Sequence, residues 1–159
     1  MNFELLIHTI EIRIRQVCNP QARYRVLWII GSPRSGKTSI CRFVCHHNGW
    51  KYVDFTLEPD FLNSLIGQEE TYRPEDFLAF LRFLCSKIVE DVIVLDEIEP
   101  LLGLWSWEQR ELFFKQVGYA TRLEAGVVII TRLSTTRELT KLLPGTDHIF
   151  EISQEGVEL

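Results

Sequence analysis

The polar–apolar pattern changes period several times along the chain, and each change marks an element. Phe3, Leu6, Ile7, Ile10, Ile14 and Val17 recur at helical spacing, which predicts an amphipathic helix over residues 2–18 that Asn19-Pro20 ends. A largely apolar run over 24–30 reads as a buried strand, with a helix over 38–47 behind it. Residues 50–55 alternate and predict a short second strand. Pro59 begins a short helix that Gly67 closes. Pro74-Glu75-Asp76 begins a longer one reaching about residue 89, because proline suits the first helical position and acids suit the positive end of the helix dipole. Residues 91–95 form a third strand whose interior, 92–95, is wholly apolar, as in a sheet covered on both faces. Ser106-Trp107-Glu108-Gln109 and Thr135-Thr136-Arg137-Glu138 are capping boxes. They predict helices over about 107–123 and from 136 to just before Pro144-Gly145. Residues 127–131 and 148–152 supply the fourth and fifth strands.

Strands alternating with helices imply an α/β fold with a parallel sheet and right-handed crossovers. No linker, repeat or low-complexity stretch divides the chain, so one domain over 1–159 is expected, with an N-terminal helix in 1–20 and a core in 24–152. A composition of 46% hydrophobic and 25% charged residues supports a core of that size. No apolar run approaches the ~20 residues that span a bilayer. The first residues lack the basic start of a signal peptide, and the four cysteines are not spaced as a disulfide scaffold; both fit a reducing cytoplasm. Cys41 and Cys45 lie four apart with His46 and His47 alongside, but structural zinc needs four tetrahedral ligands, so core packing is their expected role. The net charge of -5 is unevenly spread. Arg13, Arg15, Arg23, Arg25, Arg34 and Lys37 face only Glu4 and Glu11 in the first 40 residues, whereas residues 58–100 hold eleven acids. A dedicated nucleic-acid binder is usually strongly basic, so DNA is expected only through a complex.

The chemistry lies at two places. Gly31-Ser32-Pro33-Arg34-Ser35-Gly36-Lys37-Thr38, followed by Ser39, matches G-x-x-x-x-G-K-[ST] and stands between a predicted strand and a predicted helix. Such a loop cradles a polyphosphate in backbone N–H groups at a helix N-terminus. Lys37 then reaches the outer phosphates and the Thr38 hydroxyl suits Mg²⁺. The third strand ends in Asp96-Glu97, as a Walker B motif does. Asp96 falls at the carboxyl end of its strand, where ligands bind in open parallel sheets, and can share the Mg²⁺ shell with Thr38. Glu97 is placed to take a proton from an attacking water. Glu99 is a rival acid two residues on.

With these motifs the chain resembles the ASCE division of P-loop NTPases, which holds the AAA+ and RecA-like ATPases, over roughly residues 24–152. The resemblance implies a three-layer P-loop fold: a five-stranded parallel sheet in the order 5-1-4-3-2 with helices on both faces. It also implies a polar sensor at the tip of the fourth strand. Thr131 stands there, where Asn is commoner, and serves either as sensor or only as a strand residue; Arg132 follows it. Arg132, Arg137 and Arg122 are the candidates for an arginine finger, and no lid domain follows the fifth strand. In layout the chain is similar to the small stand-alone P-loop proteins of BREX phage-defence systems, the BrxF type. The shared features are the helix at 2–18, the loop at 31–38, Leu95-Asp96-Glu97-Ile98-Glu99 and the early C-terminus.

The expected function is an Mg²⁺-dependent ATP-binding and hydrolysing module with low intrinsic activity, working in a multi-protein assembly tied to DNA or phage defence. Self-association or a partner protein is expected through the apolar stripe of the N-terminal helix and a Trp105/Trp107 corner. The two tryptophans either staple their helix or form that contact. The alternative is a switch or scaffold that binds ATP without hydrolysing it. A small-metabolite kinase fits less well, because no Arg-rich lid stretch separates the third and fourth strands. No N-K-x-D motif points to guanine.

Overall fold

The structure, a computed structural model, describes residues 2–32, 36–132 and 135–152. In chain order the elements are α1 (Phe3–Val17), β1 (Val26–Gly31), α2 (Lys37–Asn48), β2 (Lys51–Asp54), α3 (Pro59–Leu65) and α4 (Pro74–Lys87). Then come β3 (Val92–Asp96), α5 (Glu99–Leu102), α6 (Trp107–Gly118), β4 (Gly126–Thr131), α7 (Thr136–Thr140) and β5 (Ile149–Ile152). The five strands form one parallel sheet in the order β2-β3-β4-β1-β5, which is the expected order read from the other edge.

Side chains alternate across a strand, so β1 feeds two cores. Val26, Trp28 and Ile30 face a cluster built with Phe77 and Leu81 of α4 and Phe113 and Phe114 of α6. Leu27 and Ile29 face the opposite cluster, with α1 and α2. β3 and β4 are buried along their whole length, which explains their unbroken apolar runs.

α1 covers part of one sheet face. Leu6, Ile7, Ile10, Ile14 and Val17 are buried against Leu27, Ile29, Val128 and Ile130. Its C-terminus sits on β4, where a Cβ added to Gly126 would lie 2.2 Å from Cys18 Cβ. This corrects the expectation that the stripe of the first helix is a partner surface: the sheet already occupies it. Trp105 is corrected likewise. It is buried, donates from Nε1 to the Tyr72 carbonyl at 2.9 Å and staples the approach to α6. Trp107 remains 56% exposed.

The basic N-terminal region is engaged with its own chain. Arg25 is buried and donates to the carbonyls of Cys18 and Leu123. Arg13 donates to the carbonyls of Asp147 and Ile149, and Arg15 donates to Asn48 and stacks over Trp50. Cys41 and Cys45 are buried in the core, while His46 and His47 are exposed. Among the described residues, no helix is long and apolar enough to cross a membrane.

Candidate nucleotide site

Three neighbouring strands, β3, β4 and β1, end together at the carboxyl edge of the sheet. Thr131 pairs with Ile30, one residue before Gly31, and Asp96 ends β3 beside Asp54 of β2. Topology therefore brings Gly31, Asp96 and Thr131 to one edge although they are far apart in sequence. In open parallel sheets that edge is where ligands bind.

The loop from β1 to α2 begins with Gly31 and Ser32; Pro33, Arg34 and Ser35 lie outside the described residues. Gly36 has φ 85°, a left-handed conformation that a side chain would strain, and caps α2. Lys37 is the first helical residue, Thr38 is half-buried and Ser39 is exposed. The Lys37 ammonium lies folded into the loop, donating to the carbonyls of Gly31 at 2.9 Å and Ser32 at 2.7 Å. Burial pulls its pKa down, and Arg132 adds to that, against the pull of Glu99 and Asp96.

Asp96 is buried and fully engaged on one oxygen. Its Oδ2 accepts from the Thr38 hydroxyl at 2.7 Å and the Tyr52 hydroxyl at 2.6 Å, while Oδ1 accepts from the Glu97 N–H at 2.8 Å. A carboxylate and a hydroxyl at this separation are hard oxygen donors of the kind Mg²⁺ prefers, so the donor set fits that ion. Glu97 has φ 61°, unusual for a side chain without special local reason, and borders an apolar cavity of about 240 Å³ lined by Phe55, Phe61, Leu62 and Leu101.

Thr131 is fully buried at the tip of β4. Arg132, the next residue, is exposed and meets Glu99 across the site: Nε to Oε1 is 3.6 Å. Burial pushes the Glu99 carboxyl up to about 7, helped by Glu97 and Asp96 and opposed by Arg132 and Lys37. Arg137 is exposed on α7, and Arg122 lies in a left-handed turn before β4.

Two features were not expected from the sequence. Tyr52 shares the Asp96 oxygen with Thr38; the signal was an inward tyrosine on the strand next to β3. The short helix α5 lifts Glu99 towards Arg132; Pro100 near its start was the available cue.

No protein-family model matches the sequence, and no curated protein does. Among solved structures, Cdc6p from Pyrobaculum aerophilum is similar, with a TM-score of 0.51 at 16% identity, covering 94% of this chain and 44% of that one. The chain has the α/β P-loop NTPase fold, a five-stranded parallel sheet with helices on both faces. At that identity the likeness shows fold alone, and the chain spans less than half the length of that protein.

Proposed function

We propose that this protein binds ATP with Mg²⁺ at the loop of residues 31–39 and hydrolyses it. The observation that carries the reading is the 2.7 Å contact between Thr38 and Asp96, which joins the phosphate loop to the end of β3. Thr38 and Asp96 would hold the ion, which when bound neutralises charge on the phosphates. Backbone N–H groups at the start of α2 receive the phosphates. Lys37 exchanges its two loop carbonyls for phosphate oxygens, and its position in the loop lets it do so without disturbing the core. Glu97 orients the attacking water and accepts its proton. Thr131 and Arg132 act at the outer phosphate.

The reading is tested by titrating a fluorescent ATP analogue into wild type and Lys37→Ala. Wild type should bind in the presence of Mg²⁺ and Lys37→Ala should lose most of its affinity with the same thermal unfolding profile. Equal binding by a folded Lys37→Ala protein overturns the site.

A second reading, an ATP-dependent switch or scaffold without turnover, is favoured by Glu97, whose backbone is left-handed and which borders an apolar cavity. Nucleotide exchange without phosphate release would select it. In either case we assign the protein to a multi-protein assembly that meets DNA only through a complex, with phage defence as its setting. Support comes from the likeness of layout to the BREX proteins and from Arg13, Arg15 and Arg25 being engaged within the chain.

A further inference from the structure

Glu99 is a largely buried acid of the site to which the proposed reaction gives no task. It opens α5, which is pinned in place where Arg110 Nε donates to the Leu102 carbonyl at 2.8 Å. Its side chain is 13% exposed. One carboxyl oxygen, Oε1, faces Arg132 Nε at 3.6 Å; the other, Oε2, is buried with no hydrogen-bond partner among the described residues. A buried carboxyl oxygen without a donor is costly, so an arrangement in which half of this group is unsatisfied needs a reason. The charged groups facing it are Arg132 just after β4, Lys37 from α2, Asp96 at the end of β3 and Glu97 next to it. Two cations that a nucleotide's phosphates would draw on are thus balanced by an internal acid.

We propose that Glu99 is a positioning residue for nucleotide binding: its carboxylate holds Arg132 at the mouth of the phosphate loop and supplies the negative charge there until the outer phosphate replaces it. This rests on the ATP-binding reading above. The phosphate and ionised Glu99 compete for Arg132 and Lys37, so the bound state favours a Glu99 that is neutral or turned away. With the carboxyl titrating at about 7, the competitor is absent below that pH and present above it. Wild-type affinity for ATP therefore falls as pH rises through 7, and the effect is larger for ATP than for ADP, which lacks the outer phosphate.

The test is nucleotide affinity at pH 6, 7 and 8 under saturating Mg²⁺, for wild type, Glu99→Gln and Glu99→Asp, with ATP and ADP. At pH 8 Glu99→Gln should bind ATP about tenfold tighter than wild type, the size of one like-charge contact in a partly screened site. Its affinity should be flat with pH, while Glu99→Asp keeps the wild-type slope. A structural role alone predicts weaker binding, never tighter. Unchanged or weaker ATP binding by Glu99→Gln beside a wild type that binds overturns the inference alone; no binding by wild type overturns it together with the ATP-binding reading. Should Glu99→Gln fail to fold, the wild-type profile decides, and an affinity that does not fall between pH 6 and 8 is the overturning result.

Discussion

Replacing Tyr52 with phenylalanine removes one oxygen and tests the site at its least expected contact. The ring stays, with the Arg42 guanidinium over it at 4.9 Å, so packing on the edge strand is kept. What is lost is the 2.6 Å donation to Asp96 Oδ2, together with the hydrogen bond that the hydroxyl accepts from the exposed Arg42, which water can replace. A hydrogen bond to a charged acceptor contributes about 1.5–3 kcal/mol, and Asp96 is buried, so water cannot readily replace the donor. For a chain of 159 residues each kcal/mol shifts Tm by about 2–4 °C, which gives a loss of roughly 3–12 °C without ligand.

Adding Mg²⁺ and ATP should narrow that gap. The ion and its waters offer new partners to the oxygen that Tyr52 leaves free, and whatever binds the native state better stabilises it more. The ligand-induced rise in Tm should therefore be at least as large in Tyr52→Phe as in wild type. Thermal unfolding followed by circular dichroism, with and without Mg²⁺ and ATP, reads both quantities. A ligand-free Tm within about 1 °C of wild type would refute the claim that this hydroxyl holds Asp96. A ligand-induced rise smaller than that of wild type would refute the claim that the ion and the tyrosine serve the same oxygen.

Further outcomes follow from the same geometry. Asp96→Ala should weaken ATP binding only when Mg²⁺ is present, and removing the ion with a chelator should bring wild type down to the level of the variant. Glu97→Gln should retain ATP binding and lose phosphate release by about 10²-fold or more, the usual contribution of a positioned base, as read by a phosphate-release assay. Gly126→Ala should destabilise by about 1–3 kcal/mol or more, since its Cβ would enter the space of Cys18 and the end of α1 must shift; urea unfolding measures this. Phosphate release per subunit should rise with protein concentration and fall in Arg137→Ala, if the exposed Arg137 of one copy supplies charge at the outer phosphate of another beyond that of Arg132.

The elements and their order were legible because the apolar pattern is strong where burial is complete. β3 and β4 lie between two helical layers, and their runs of four or more apolar residues admit no other reading. Boundaries slipped where side chains and not periodicity decide. α6 stops at Gly118, five residues before the expected end, because Ala120, Leu123 and Ala125 turn inward to cover the core and Arg122 takes a left-handed turn between them. α1 was found but its role was misread: an amphipathic stripe shows that a helix is covered, not what covers it. In the candidate site, spacing singled out Lys37, Thr38 and Asp96, and the fold brings Thr38 and Asp96 into contact beside the loop that holds Lys37. Tyr52 and the pairing of Glu99 with Arg132 depend on which strands are neighbours, information that a linear pattern carries only through the sheet order.

That dependence explains how so small a chain assembles so many ionisable groups at one edge. The order β2-β3-β4-β1 places four strand ends side by side: Asp54 ends β2, with Tyr52 two residues before it, Asp96 ends β3 with Glu97 next, Thr131 ends β4 with Arg132 next, and the phosphate loop follows β1. Strand neighbours are roughly 4.8 Å apart, so side chains from adjacent ends reach one another directly, while ends two strands apart meet where the segment after one strand carries a residue towards the other. Arg132, just after β4, meets Glu99 beyond the end of the adjacent β3, and Thr38, carried on the helix that follows β1, reaches Asp96 although β4 lies between β1 and β3 in the sheet. Asp96 is buried and accepts three hydrogen bonds of 2.6–2.8 Å, whereas the Arg132–Glu99 contact is 3.6 Å long and involves an exposed arginine, so on the ATP-binding reading proposed above the second is the contact expected to rearrange. On that reading, a nucleotide would meet the Asp96 contacts as a floor and the Arg132–Glu99 contact as an adjustable rim. The Asp96 and Tyr52 variants interrogate the floor through metal dependence and stability, and the Glu99 variants interrogate the rim through pH.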